Sequence, residues 1–520
     1  MIPYNRRVQN LSDPPRYPRA RCPAREGWLA LVFVLLAACS SEAPVPTLPR
    51  LALEPCPPAD NIEDGLCGTW EVFEDRDAQT GRRIGLRVVV LPALSTDIAP
   101  DPLFILAGGP GQAASELTDI IRVPFRQVNR ERDLVFVDQR GTGGSNPLTC
   151  EIGEDAPDDT LLLDPMSDEI LRAHVVEQVE ACVAALDADP RLYTTPLAMD
   201  DLDDVRAALG YETINLWGGS YGTRAGLVYL RRHPDRVRTA ILDGLAPVAI
   251  KLPLYMGMDA ARALDLLLQD CAADAGCHAA YPELGAALQT LLDTLEQGPV
   301  RHTLAHPRTG RPTDIVVSRT SLASSVRAPL YSPDLAVVLP LAISRAAAGD
   351  YGPLSAMGVG FAGDASLYTG MFLSVVCSED VPRITTEDRA LAAAEPLFGT
   401  SLLDSFEALC GAWPQGTLPD GYDAPIASDR PVLLLSGLLD PVTPPRWAES
   451  VRGSLTNATH ITVPGVGHGT MGAGCVPDLM AEFIDQGSAA TLDVACVERI
   501  ERPRFFDSTL GPGTFAVEAP

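Results

Sequence analysis

Positive charge is scarce in this chain of 520 residues: 40 Lys and Arg stand against 68 Asp and Glu, Lys251 is the single lysine, and the formal net charge is −28. So acidic a surface disfavours nucleic acid and anionic membrane as binding partners. Histidine is scarce too, at 7 scattered positions, and no C-x-x-C occurs, so no metal is expected. His302 and His306 are four apart, but Pro307 and Gly310 follow at once and the pair reads as solvated loop. The apolar run 28–38 is far shorter than the roughly 20 residues that cross a bilayer. No internal repeat is found in the long middle section, and an apolar share of 46% is ample for large cores and argues against disorder.

The run 28–38 follows Arg16, Arg19, Arg21 and Arg25 and leads into Leu36-Ala37-Ala38-Cys39, which reads as a signal peptide with a bacterial lipoprotein cleavage box. Residues 1–39 are therefore expected to be the signal, and Cys39 the lipidated residue that holds the protein at a membrane of the cell envelope, facing the periplasm or exterior. Residues 40–60, rich in Pro, Ala, Ser and Glu, read as a tether. Ten cysteines remain at 56, 67, 150, 182, 271, 277, 377, 410, 475 and 496, an even number that in an oxidising compartment suggests disulfides. Spacing alone leaves their connectivity open; the simplest arrangement pairs sequential neighbours.

The chain is organised around 213–226, T-I-N-L-W-G-G-S-Y-G-T-R-A-G. A strand-like run enters Gly218-Gly219-Ser220-Tyr221-Gly222 and a helix-like pattern leaves it, the setting of a nucleophile elbow in which small flanking residues permit the sharp turn. Ser220 is the candidate nucleophile. Short apolar runs at 102–107 and 134–137 end in Gly108-Gly109-Pro110-Gly111 and Asp138-Gln139-Arg140-Gly141, and 237–243 ends at Gly244. Such runs, alternating with helical patterns, argue for a buried parallel sheet with helices on both faces and a ligand beyond the carboxyl ends of the strands. The amides of Gly109 and Tyr221 are the expected oxyanion donors. Asp138-Gln139-Arg140 reads as a structural frame near the site.

Folded patterning starts near Leu66, and 61–247 reads as the first part of the sheet domain. From 248 to 427 helical periodicity dominates, as in 260–268 and 284–295, and the section reads as a helical cap inserted over the site. Sheet patterning resumes in 428–500, and 501–520 is a tail. The resumed strands are followed by Asp440-Pro441-Val442-Thr443 and by Gly465-Val466-Gly467-His468-Gly469. A serine hydroxyl needs a base, and the base needs a carboxylate to fix its tautomer. His468 is the expected base, ahead of His460 and His233, and Asp440 the expected acid, ahead of Asp429. The order Ser, Asp, His is that of the α/β-hydrolase fold.

Together these motifs, with Cys377-Ser378-Glu379-Asp380, resemble the tripeptidyl aminopeptidase and proline iminopeptidase group of α/β-hydrolases over about 66–496. Ala107 departs from the histidine often found before the glycines in proline iminopeptidases, which points away from the proline-specific branch. The resemblance implies a serine aminopeptidase acting on peptide substrates from a free N-terminus, with no cofactor. An esterase or other small-acyl hydrolase is the alternative within the fold, and a noncatalytic surface binding protein the alternative outside it. Selection of a free N-terminus calls for an anionic receptor, and Glu379 and Asp380 in the cap are expected to supply it.

Overall fold

The computed structural model describes residues 50–150, 168–306, 309–361 and 367–513. The expected signal peptide, Cys39 and the first part of the tether lie outside the described residues.

Among the described residues eleven strands form two sheets. The large sheet holds β1 (Glu54–Pro55), β2 (Leu66–Phe73), β3 (Arg83–Leu91), β4 (Leu103–Leu106), β5 (Leu134–Val137), β6 (Ile214–Gly219), β7 (Val237–Asp243), β10 (Val432–Gly437) and β11 (Ala458–Val463). The small one is an antiparallel hairpin of β8 (Val300–Ala305) and β9 (Pro312–Val317). The large sheet runs β1-β2-β3-β5-β4-β6-β7-β10-β11. Pairing is antiparallel from β1 to β5 and parallel from there to β11.

Residue alternation explains how the sheet is sandwiched. Every residue of β4 and β5 is buried, because successive side chains point to opposite faces and both faces are covered. Phe104, Leu106, Val135, Leu216, Leu242 and Leu434 face one core with helices Thr195–Leu209 and Tyr221–Arg232. Leu103, Ile105, Leu134, Phe136, Ile241 and Leu433 face the other with helix Val476–Gln486. The carboxyl ends of β4, β6, β7, β10 and β11 therefore share one edge of the sheet.

Between β7 and β10 the chain builds a cap with an apolar core of its own, in which Leu264, Leu267, Leu292, Leu322, Val326 and Leu339 pack together. It is not wholly helical, because β8 and β9 stand within it. His302 lies in β8, edge-on to the Tyr351 ring at 5.5 Å, and His306 is buried, so neither is solvated loop. Two expected boundaries also shift. Folded chain begins before Leu66: the Leu51 amide donates to Ala208 O at 2.9 Å, and β1 pairs with β2, so the end of the expected tether is part of the fold. At the other end, Phe505 is buried in the cap core and the Phe506 amide donates to Val337 O, which docks the start of the expected tail.

Among the described residues five disulfides join sequential neighbours: Cys56–Cys67, Cys150–Cys182, Cys271–Cys277, Cys377–Cys410 and Cys475–Cys496. Among the described residues no helix is long and apolar enough to cross a membrane.

Candidate active site

Ser220 sits between β6 and helix Tyr221–Arg232 with φ 54°, a conformation that costs a non-glycine residue of order 1 kcal/mol or more and is tolerated where the surroundings over-determine it. They do so here. The Ser220 amide donates to Asp243 O at 2.9 Å, while Ser220 O accepts from the Thr223 amide at 2.9 Å and the Thr223 hydroxyl at 2.6 Å. The flanking glycines are steric necessities: a Cβ on Gly218 would lie 2.3 Å from Gly222 O, and one on Gly222 would lie 2.0 Å from Leu106 O.

Asp440 follows β10 and is fully buried. Its Oδ1 accepts the amides of Val442 (2.7 Å) and Thr443 (2.8 Å), and its Oδ2 accepts from the Thr443 hydroxyl (2.8 Å) and from His468 Nδ1 (2.8 Å). Burial alone would raise this carboxyl, but the imidazole beside it and the donors around it hold it below the usual carboxylate range. Burial would likewise lower His468, yet the charge and hydrogen bond of Asp440 prevail and its pKa is raised. Since Nδ1 is engaged by the carboxylate, Nε2 is the nitrogen left to exchange a proton with a substrate. The loop bearing His468 is also tied to the cap, through the His468 amide donating to Tyr331 O at 3.0 Å and the Tyr331 ring standing edge-on to the imidazole at 5.3 Å.

Ser220, His468, Asp243 and Gly109 line one cavity of about 490 Å³, walled otherwise largely by apolar groups, among them Ile120, Trp217, Leu367, Phe372 and Met471. No hydrogen bond joins Ser220 Oγ to His468 in this structure; such bonds often tighten only once substrate is bound. Gly109 lines the cavity, whereas the Tyr221 side chain is buried and reaches Thr195 Oγ1 at 2.7 Å. The competing candidates are engaged elsewhere. His460 bonds Glu449 and Ser436, His233 bonds Asp200, and Asp429 is exposed beside Arg430. Arg140 is fully buried against Asp201 and Asp138 accepts from Ser115 and Gly144, so that segment is a frame.

The expectation for Glu379 and Asp380 is corrected. Both are fully buried and neither lines the cavity at Ser220. Asp380 takes a two-pronged ion pair from Arg224 at 3.0 Å on each oxygen, and a further bond from Arg383 at 3.1 Å. Glu379 accepts from the Thr195 amide (2.6 Å) and hydroxyl (2.9 Å), from Tyr422 OH (2.5 Å) and from Arg224 (3.4 Å). Both carboxylates are thus already paired with Arg224 and enclosed away from the cavity lining, where a substrate ammonium would not meet them. Sequence reasoning missed Arg224 because it sits unremarked within the elbow helix. It missed Thr443 as a partner of the acid, although that residue stands within the quoted Asp-Pro-Val-Thr. Asp243 could have been flagged, as a carboxylate ending a buried strand at the sheet edge where ligands bind.

A mostly parallel sheet with a serine at a strained strand-to-helix elbow, and a helical section inserted before the last two strands, defines an α/β-hydrolase. Residues 395–496 match a family model described as TAP-like protein. The chain is 27% identical to serine protease Hip1 of Mycobacterium tuberculosis over 83% of its own length and 87% of that protein. It is 30% identical to the tripeptidyl aminopeptidase of Streptomyces lividans over 34% of its length and 35% of that protein, and 27% identical to carboxylesterase B of Mycobacterium tuberculosis over 84% and 87%. The chain is thus a serine hydrolase of the α/β-hydrolase fold, similar to the serine peptidases of the tripeptidyl aminopeptidase group.

Proposed function

We propose that the protein is an exported serine aminopeptidase that releases short peptides or single residues from a free N-terminus through an acyl-enzyme on Ser220. The observation that carries the reading is the 2.8 Å bond between Asp440 and His468 on loops that open into the same cavity as Ser220. Ser220 Oγ attacks the scissile carbonyl carbon as His468 Nε2 takes its proton, and Asp440 stabilises the imidazolium. The amides of Gly109 and Tyr221 donate to the oxyanion. Collapse breaks the C–N bond, the leaving amine takes the proton from Nε2, and a water activated by His468 then hydrolyses the ester. The similarity to a tripeptidyl aminopeptidase and to a serine protease supports the peptidase arm.

A second reading, an esterase, is favoured by the apolar walls of the cavity and by the similarity to carboxylesterase B. Turnover of unblocked peptides, their N-acetylated counterparts and small neutral esters separates the two: an aminopeptidase cleaves the unblocked peptides and spares the acetylated ones, and equal cleavage of both sinks the aminopeptidase reading. Export with a lipid on Cys39 is part of the proposal. Intact-mass measurement of the membrane-fraction protein should show that lipid, and an unlipidated mature chain would end the idea.

A further inference from the structure

Asp243 closes β7 at the floor of the cavity and is almost wholly buried, at 1% exposure. Two separate stretches of chain meet on it. Its main-chain carbonyl accepts the amide of Ser220 at 2.9 Å. Its carboxylate accepts the Thr470 amide at 2.9 Å on each oxygen, the Thr470 hydroxyl at 3.0 Å and the Met471 amide at 2.9 Å. Thr470 and Met471 lie just past His468, across Gly469, whose φ of 90° and exposure leave that bend with little support of its own.

We propose that Asp243 is the positioning residue that sets the separation of nucleophile and base, holding the Ser220 backbone by its carbonyl and the chain after His468 by its carboxylate. The proposal rests on the roles given above to Ser220 and His468. Nothing else among the described residues bonds to both stretches in this way: Asp440 and Thr443 hold the imidazole, and Tyr331 O holds the His468 amide. The donor set suits the task, since hydrogen bonds to an ionised acceptor are about twice as strong as neutral ones. Burial pushes this carboxyl up to about 6, against the bonds from Thr470 and Met471 and the nearby imidazole, which lower it. The groups facing His468 are Asp440, Asp243, Arg327, Thr443 and Tyr331, and of these Asp440 and Asp243 raise the imidazole pKa while Arg327 lowers it.

The test compares Asp243→Asn and Thr470→Val with the wild type on an unblocked peptide and a small neutral ester. A misplacement of about 1 Å costs roughly 100-fold in rate, so Asp243→Asn should lower kcat about 10- to 100-fold on both substrates and leave KM within about threefold. Its acidic limb in kcat/KM should move to lower pH, because a negative charge that raises His468 is gone. Thr470→Val removes one neutral donor and keeps the charge, so it should lower kcat by roughly 3- to 10-fold with the limb unmoved. If Asp243→Asn does not fold, Thr470→Val carries the test, and an unchanged kcat there overturns the proposal. So does an Asp243→Asn enzyme that melts earlier but keeps its kcat and pH profile, as a merely structural role would give. A KM effect confined to unblocked peptides would make Asp243 a substrate-ammonium receptor and also overturn it. Fluorophosphonate labelling of wild-type Ser220 is read in parallel. Its absence defeats the assignment of the nucleophile, whereas labelled Ser220 with normal kcat in both variants defeats this inference alone.

Discussion

The sheet and the cap are built to different rules. The sheet is apolar between its faces and carries its functional groups at one edge, on loops after β6, β7, β10 and β11. The cap has an apolar interior, and three of its buried carboxylates, Asp259, Glu379 and Asp380, reach out of it to the sheet domain, while Asp388 pairs with Lys251 inside it. Asp259 pairs with Arg446 and accepts from the Trp447 indole, on the helix after the Asp440 loop. Glu379 and Asp380 pair with Arg224, one turn past Ser220. Tyr331 O takes the amide of His468. Each of the three loops assigned to catalysis thus has a bond to the cap close by. The sheet therefore presents the groups proposed to react while the cap, beyond walling the cavity, braces the backbones that carry them.

The comparison breaks most completely at the sheet edge. Ser220→Ala should remove fluorophosphonate labelling and lower turnover by several orders of magnitude while the melting temperature holds. Labelling that persists on another serine would transfer the site elsewhere. Asp440→Asn should cost roughly a thousand- to ten-thousandfold in kcat, because the imidazole loses the partner that fixes its tautomer. A fully active variant would reopen the assignment of the acid.

At the seam the effect should be on stability. Arg224→Met leaves buried Glu379 without a cation and Asp380 with Arg383 alone, a change that typically costs about 3 to 5 kcal/mol, read from the denaturant midpoint. Glu379→Gln should be milder, about 1 to 3 kcal/mol, and should lower peptide and ester turnover together. Selective loss of unblocked peptides would restore Glu379 as a substrate receptor.

The pH profile sharpens the same contrast. His468 must be neutral to accept a proton, and Asp440 raises its pKa, so kcat/KM should fall as pH drops through a midpoint above the ordinary imidazole value of about 6.5. A midpoint well below 6 would mean that the Asp440 pairing does not govern the base. The smallest effect is expected from Tyr331→Phe. It loses the bond to Arg327 but keeps the ring and the carbonyl that holds His468, so kcat should change by less than about threefold. A larger loss would show that the cap acts on the base through that hydroxyl rather than through its backbone.

The elbow, the sheet class and the strand ends that carry Ser220, Asp440 and His468 were legible because each depends on local rules: strand runs that are apolar throughout, glycines where backbones must approach closely, and loops that begin where such runs stop. Spacing left the pairing of the ten cysteines after Cys39 open, and the fold adopts the simplest arrangement, sequential neighbours at most 33 residues apart. The hairpin within the cap was missed, because β8 is a half-exposed strand whose alternation is interrupted by His302 at an inward position. The sequence by itself determined which residues end the strands, and so which chemical groups could meet at the sheet edge. What each carboxylate does there was decided only by tertiary structure. Glu379 and Asp380 are given to Arg224 from 155 and 156 residues away, and Asp243 to Thr470 from 227. A buried charge takes its role from the partner that the fold brings to it, and nothing in the local sequence names that partner.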